Sequence, residues 1–298
     1  HPAALAAIDR TLERYDFVQL PVRPQPQRSS RWVAGHYADE FTEAHAKTLV
    51  VRSALGAAIP AAGVGCGLSR AALERLARHR AGEGEAGPFA RDSLTEDYEL
   101  GLVLARHGAR SCFLRARDSS GALIATRAFF PATLPQAVRQ KTRWIHGIAL
   151  QSWDRLGWTR RPVDIWMELR DRRGPLTAIV LAAAYLLIVV EGLLQAARLA
   201  GLDAQADRSA LADTMIALCF ISFAWRAAWR FTFTAREYGL WEGWRALLRI
   251  PVGNIIAIMA GRRALAAYIR SLLGAAVSWD KTSHDRHPAA RTSQAGAR

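Results

Sequence analysis

The sequence reads LTAIVLAAAYLLIVV from Leu176 to Val190, a stretch without a formal charge. A second apolar stretch, from Leu211 to Trp225, holds a single charged residue, Asp213. Both approach the roughly 20 residues that an α-helix needs to cross a bilayer. We therefore predict a transmembrane helical hairpin over residues 175–232.

Basic residues flank the predicted hairpin on both sides. The chain has 40 Lys and Arg against 26 Asp and Glu, a net charge of +14, which indicates an acidic partner such as nucleic acid, anionic lipid or a phosphate-bearing substrate. A basic excess beside membrane spans marks the cytoplasmic side, so both flanks are expected there. The flanking arginines are Arg160, Arg161, Arg170, Arg172, Arg173, Arg226, Arg230 and Arg236.

The segments next to the hairpin are predicted to lie at the membrane surface. Residues 158–174 form a basic interfacial linker. Residues 233–272 are predicted as interfacial or re-entrant helices, because Trp241 and Trp244 alternate with arginines and the apolar run from Ile255 to Ala260 is short. A third span over Pro251 to Tyr268 is the alternative, and it would include Arg262 and Arg263. Residues 273–298 form a polar tail.

Residues 1–157 have the pattern of an α/β domain. Helical periodicity alternates with β-prone runs at Phe17 to Val22, Ser111 to Ala116 and Ile124 to Phe129. Such alternation is typical of helices layered on a sheet. We expect the chemistry of the protein to reside in this part.

The three cysteines are widely separated along the chain. Cys66, Cys112 and Cys219 are odd in number and have no metal-ligand spacing. We expect a reducing compartment, no disulfide framework and no metal site formed by these residues.

A glycine-rich stretch, Gly63-Val64-Gly65-Cys66-Gly67, is the first candidate for ligand contact. Because it lacks side-chain bulk, its backbone can approach a ligand closely. A tight turn before a helix explains the same residues equally well.

The second candidate is Thr95-Glu96-Asp97 at a predicted helix start. The positive end of the helix dipole keeps a carboxylate ionised there, where it can act as a base. An acidic pair after a capping Thr is also a common way to stabilise a helix end, so the structural alternative stays open.

The third candidate is one face of a helix that carries Gln140, Arg143 and Trp144 at positions i, i+3 and i+4. An indole stacks on a sugar ring, a guanidinium pairs with phosphate and an amide binds a hydroxyl group. A basic amphipathic helix on lipid headgroups would show the same pattern.

Taken in order, Thr95-Glu96-Asp97, then Gln140-x-x-Arg143-Trp144, then membrane spans resemble the family 2 glycosyltransferases of the cellulose and hyaluronan synthase type. The chain also resembles the phage-adsorption protein B (NfrB) type of these membrane transferases. The resemblance implies that residues 1–157 are the C-terminal part of a GT-A catalytic domain. Further matching segments are Arg31 to Tyr37, Gly63 to Gly65, Ser93 to Gly101 and Trp279 to Thr282.

The resemblance also implies roles for single residues. Asp97 would be the general base of an inverting transfer from a nucleotide sugar, and Glu96 would support its position. The remaining implied contacts are to the acceptor sugar and the departing diphosphate. They involve Gln140, Arg143, Trp144, Gly65, Cys66 and Gly67.

The family carries a metal-binding Asp-x-Asp cluster, which the resemblance places upstream of His1. We therefore expect Mg²⁺ or Mn²⁺ and a UDP-sugar in a longer parent protein, and no activity from these 298 residues alone. The start with His1-Pro2 rather than Met agrees with that expectation.

The implied function is synthesis or export of a surface polysaccharide by a multi-pass protein of the bacterial inner membrane, with its catalytic domain in the cytoplasm. Its partners would be a nucleotide-sugar donor, a glycan acceptor, the bilayer and an outer-membrane export partner. A non-catalytic scaffold or regulatory subunit of an exporter is the alternative. A nucleic-acid binder is disfavoured, because the basic residues cluster beside the apolar runs.

Overall fold

The structure is a computed structural model that describes residues 1–82, 84, 87–90, 92–202 and 209–275. The predicted Trp279 to Thr282 segment and almost all of the predicted tail lie outside these residues. The strands are β1 (Phe17–Gln19), β2 (Val22–Pro24), β3 (Cys66–Leu68), β4 (Ser111–Phe113) and β5 (Thr126–Ala128). The helices up to residue 156 are α1 (Ala4–Leu12), α2 (Val33–Glu43), α3 (Leu49–Ala54), α4 (Arg70–Gly82), α5 (Glu96–Arg106), α6 (Leu134–Trp144) and α7 (Ser152–Leu156), with π-helical segments π1 (Ala44–Thr48) and π2 (Ile145–Gln151).

The β-strands form two small sheets. In the first, β1 lies between β3, which is antiparallel to it, and β4, which is parallel. The second pairs β2 with β5 in parallel. Parallel pairing needs a long crossover, and the helices between the strands provide it. The predicted α/β fold class is confirmed.

The core of this part lies between the first sheet and helices α4 and α5. Phe17 of β1 is fully buried with Leu76 of α4, Leu104 of α5 and Phe113 of β4. Buried apolar strands of this kind are stabilised by removal of their side chains from water. The β-prone runs at Phe17 and Ser111 therefore contribute β1 and the buried Phe113 of β4 to this core, whereas β5, from the run at Ile124, is partly exposed.

Among the described residues, five further helices follow residue 156. Three of them, α9, α10 and α12, are long and apolar enough to cross a membrane. The set is α8 (Pro162–Arg172), α9 (Gly174–Leu199), α10 (Ala210–Tyr238), α11 (Leu240–Leu248) and α12 (Ile250–Leu272).

The structure corrects the prediction of a re-entrant segment within residues 233–272. A re-entrant loop needs a break in the helix, whereas α12 runs without interruption for 23 residues. Its apolar run was underestimated because Arg262 and Arg263 interrupt it in the sequence. The preceding helix α11 is short and amphipathic, and its interfacial position stays a prediction.

Helix α9 packs along α12 in antiparallel fashion. Gly261 lies so close to Ala178 that an added Cβ would come within 2.3 Å of the alanine methyl group. Further along, Asn254 donates a hydrogen bond of 3.3 Å to the hydroxyl of Tyr185. Small residues permit this close approach of two helices in a membrane. The main partner of α9 is thus α12, where the sequence had suggested a hairpin with α10.

Helix α6 is held between α2 and α12. Tyr37 of α2, Ala137 and Val138 of α6, and Ile256 and Ala260 of α12 form one buried cluster. The contact joins the α/β part to a helix that can span a membrane. As a result, the position of α6 depends on both.

A buried ion pair fixes the same junction. Arg249, which precedes α12, donates two hydrogen bonds of 2.7 and 2.8 Å to the carboxylate of Asp39 on α2. Both side chains are almost fully buried, at 2% and 1% exposed. Glu242 accepts a third bond, of 2.8 Å. Gly35 makes room for this guanidinium, because a Cβ there would lie 2.6 Å from its Nη1 atom.

The end of α10 contacts the α/β part at a second place. The buried Glu237 carboxylate pairs with Arg115 and Arg117 at 2.5 and 2.6 Å. Next to it, the Tyr238 hydroxyl donates a 2.7 Å hydrogen bond to the carbonyl of Pro24. The long helices are therefore anchored on the domain by polar contacts as well as by apolar packing.

We predict that Arg249→Ala lowers the free energy of unfolding by about 3–5 kcal/mol, because it leaves the Asp39 carboxylate buried without its cation. Denaturant unfolding in detergent measures the effect. The matched control is Arg70→Ala, which removes an exposed i,i+4 pair with Glu74 and should leave the unfolding midpoint unchanged. Equal losses in the two variants would contradict the role of the buried pair.

Candidate functional site

Asp97 lies in the first turn of α5, as the sequence predicted. Its Oδ1 atom accepts a 2.8 Å hydrogen bond from the backbone N–H of Tyr98. Thr95 occupies the N-cap position, but its side chain makes no capping bond, which corrects the expected role of its hydroxyl. The hydroxyl is buried against π2 instead.

The other carboxylate oxygen of Asp97 lies against the glycine-rich loop. A Cβ on Gly63 would be 2.7 Å from Asp97 Oδ2, and the φ of Gly63 is +70°. Only glycine adopts this conformation readily and leaves this space free. Gly63 is thus the residue of the loop that admits the carboxylate.

The side chain of Gln19 on β1 is hydrogen-bonded to the backbone of this loop. Gln19 was not identified from the sequence as a residue of the site. Its buried amide accepts a 2.9 Å hydrogen bond from the N–H of Ala62 and donates one of 2.9 Å to the carbonyl of Val64. These two bonds bracket Gly63. The signal in the sequence was a polar residue between Val18 and Leu20 in an otherwise apolar strand.

The surroundings of Asp97 favour its protonated form. Burial raises the pKa of the Asp97 carboxyl, and the nearby charge of Glu96 acts in the same direction. The Tyr98 N–H and the positive charge of Arg143 act against them, yet the pKa remains above its usual value. A carboxylate of raised pKa is a better proton acceptor than a free one.

Helix α6, which carries Gln140, Arg143 and Trp144, continues into π2, and π2 packs on the start of α5. Gly147 of π2 contacts Thr95 so closely that a Cβ would lie 2.5 Å from the threonine hydroxyl. The positive charge of Arg143, one turn before Gly147, lowers the pKa of the Asp97 carboxyl. The two motifs, separated by more than 40 residues in sequence, therefore meet in the fold.

Three buried polar atoms in these two motifs have no hydrogen-bond partner among the described residues. They are Thr95 Oγ1, Gln140 Oε1 and Arg143 Nε. Buried polar groups are nearly always satisfied, by water or a ligand if not by protein. Gln140 and Arg143 stand at positions i and i+3, so these two atoms without a hydrogen-bond partner lie on the same side of α6.

Trp144 is more enclosed than the sequence suggested. It is half-buried and meets the rings of Tyr37, Phe41 and Phe130 at centroid distances of 6.1, 6.1 and 6.4 Å. These contacts are edge-on or tilted. The indole therefore contributes to the packing of α6 on α2 in addition to any contact with a ligand.

Gly65 and Gly67 have clear packing roles. A Cβ on Gly65 would lie 2.2 Å from Thr126 Oγ1, and one on Gly67 would lie 2.2 Å from a methyl group of Ile8. Cys66, between them, is a half-buried free thiol whose pKa is raised by burial and by Asp97. Of the three predicted contact residues, Cys66 is the one whose proximity to Asp97 is evident.

The described residues contain no group of three or more His, Cys, Asp or Glu side chains able to hold a metal ion. The residues around Asp97 do not provide the carboxylate set that a divalent cation prefers. The region around Asp97 thus combines a carboxyl group, a guanidinium and a glycine-rich loop.

Comparison with known proteins gives a family for this arrangement. The family described as "Glycosyl transferase family group 2" matches residues 1–201. "Bacteriophage adsorption protein B" of Escherichia coli (strain K12) is 34% identical over 307 residues, covering 95% of this chain and 40% of the relative. "Bacteriophage N4 adsorption protein B" of Escherichia coli O157:H7 has the same identity and coverage.

The chain thus spans about 40% of the length of these relatives. The matched family region contains the Gly63 loop, Asp97 and Arg143, and it reaches to the end of α9. Of the helices among the described residues that are able to cross a membrane, α9 lies inside the matched region, and α10 and α12 follow it. The chain belongs to the family 2 group of glycosyltransferases.

Proposed function

We propose that the intact protein transfers a sugar from a UDP-sugar to a growing surface glycan with inversion at the anomeric carbon. The observation that carries the proposal is the half-buried Asp97 carboxylate, which lies against Gly63 of the glycine-rich loop and feels the positive charge of Arg143. A base within electrostatic range of a cation suits a reaction that removes a proton and releases an anion.

In the proposed reaction, Asp97 accepts the proton of an acceptor hydroxyl while that oxygen attacks the anomeric carbon. The bond from this carbon to the diphosphate breaks, and the nucleoside diphosphate leaves with the electron pair. Glu96 supports Asp97 by keeping its pKa raised. The acid form of Asp97 then returns its proton to water.

The acceptor and the leaving group are assigned to the side of α6 that points to Asp97. Arg143 neutralises the departing diphosphate, and the buried Oε1 atom of Gln140 accepts a hydrogen bond from a sugar hydroxyl. Trp144 offers the exposed part of its indole to a sugar ring. Cys66, with Gly65 and Gly67 beside it, borders the acceptor.

A divalent cation, Mg²⁺ or Mn²⁺, is proposed for the intact protein from the family resemblance alone. It would neutralise the charge of the nucleoside diphosphate. The described residues do not bring together a set of ligands that fits such a cation.

We further propose that the protein lies in the bacterial inner membrane with its catalytic part in the cytoplasm, and that it acts with an outer-membrane export partner in polysaccharide export. The helices able to span a membrane support a bilayer location. The basic residues on both sides of α9 and α10 support the orientation. The names of the relatives associate those proteins with bacteriophage adsorption, a cell-surface process.

Asp97→Asn is expected to reduce release of UDP from a UDP-sugar by at least about 100-fold, since general-base catalysis contributes on that order. The assay uses the intact protein in membranes. Asp9→Asn, on the exposed side of α1, is the matched control and should keep full activity. Undiminished release by Asp97→Asn would remove Asp97 from this role, and absence of release by the natural protein would favour a non-catalytic scaffold.

The pH dependence of kcat/KM tests the charge next to Asp97. Activity requires the ionised carboxylate and is lost as the pH falls through its pKa. We call the part of the kcat/KM profile in which activity falls with decreasing pH the acidic limb. Because Arg143 lowers the pKa of Asp97, Arg143→Gln should move this limb to higher pH, in addition to any loss of rate. Arg143→Lys keeps the charge and should leave the limb in place. A limb that stays unchanged in Arg143→Gln would contradict the arrangement.

A further inference from the structure

Tyr98 is linked both to Asp97 and to the entrance of the first membrane helix. Its backbone N–H binds Asp97 Oδ1 at 2.8 Å. Its hydroxyl donates a 2.9 Å hydrogen bond to Asp171 Oδ2, near the end of α8. Three residues after Asp171, α9 begins at Gly174.

Asp171 is itself held firmly. The guanidinium of Arg52 on α3, 2% exposed, donates a 2.7 Å hydrogen bond to the same carboxylate oxygen. Arg52 also donates to the carbonyl of Ala58, which packs against the ring of Tyr98. A charge-assisted pair in such a buried place tolerates little movement without loss of energy.

We propose that Tyr98 and Asp171 are positioning residues, which transmit the location of the α8–α9 junction to the carboxylate of Asp97. This inference rests on the proposed role of Asp97 as the base. A shift at the start of α9 would pull on the Tyr98 hydroxyl and so displace the first turn of α5, which carries the Asp97 carboxylate and the N–H that binds it. Orientation errors of about 1 Å at a reacting group are costly to the rate.

The charged groups around this link come from several elements. Glu96 on the same helix raises the pKa of Asp97, and Arg143 on α6 lowers it. The charge of Asp97 in turn raises the pKa of Cys66 on β3. The carboxylate of Asp171 raises the pKa of Arg52 on α3 and acts in the same direction on the neighbouring Arg172 and Arg173.

The test is Tyr98→Phe in the intact protein, which keeps the ring in its buried cluster and leaves the Arg52–Asp171 pair intact. We expect kcat for UDP release to fall about tenfold, with KM for the UDP-sugar unchanged. The acidic limb of the pH profile should move to higher pH, because a weaker bond from the Tyr98 N–H stabilises the Asp97 carboxylate less. A loss of stability alone would not move that limb.

The matched control is Tyr238→Phe. It removes a similar hydrogen bond, to the carbonyl of Pro24, at the end of a different membrane helix, and it should leave kcat and the limb unchanged. Tyr98→Phe with the natural kcat and limb, or equal effects of the two variants, would overturn the inference. Activity retained by Asp97→Asn would instead overturn the proposed function, so the two failures can be distinguished.

Discussion

The guanidinium of Arg249 lies buried where α11 turns into α12, with Asp39 of α2 accepting two hydrogen bonds from it. Because a buried cation is costly unless it is paired, this contact holds α12 against α2. Helix α6 fills the space between them through Ala137 and Val138. The position of α6 in turn decides where its polar side lies. The site is therefore assembled by helices from both the α/β part and the membrane part.

Within that arrangement, close contacts at glycines determine which side chains meet. The Thr95 hydroxyl fits against Gly147, which brings the start of α5 onto π2. The Asp97 carboxylate fits against Gly63, which the Gln19 amide holds in place. Each contact is a space that a methyl group would fill. The electrostatic effect of Arg143 on Asp97 follows from this packing.

Much of the architecture could be predicted from local patterns. The uncharged run from Leu176 to Val190 predicted α9, the β-prone runs predicted strands, and spacing placed Gln140 and Arg143 on one side of a helix. Long-range contacts could not be predicted in this way. Nothing near Asp171 in the sequence indicates Tyr98 or Arg52, because such pairs depend on the tertiary fold.

The differences between the sequence-based predictions and the structure have a similar cause, because they too depend on contacts between distant residues or on the full length of a helix. Helix α12 was judged too short because its arginines were counted as breaks, whereas the helix runs through them. Periodicity gave the side of the helix on which Trp144 lies but not the aromatic rings of α2 that cover part of it. The approach of Thr126 to Gly65 and of Ile8 to Gly67 was likewise not predicted, and a ligand contact at these glycines stays a prediction.

A structure of the intact protein with a nucleoside diphosphate and a glycan acceptor would show whether Asp97 is the base of the transfer. The measured quantity is the distance from Asp97 Oδ2 to the nearest acceptor hydroxyl. We expect hydrogen-bond distance, about 2.6–3.2 Å, with the diphosphate beside Arg143. An acceptor bound away from the Gly63 loop, with a different carboxylate at its hydroxyl, would contradict this role of Asp97.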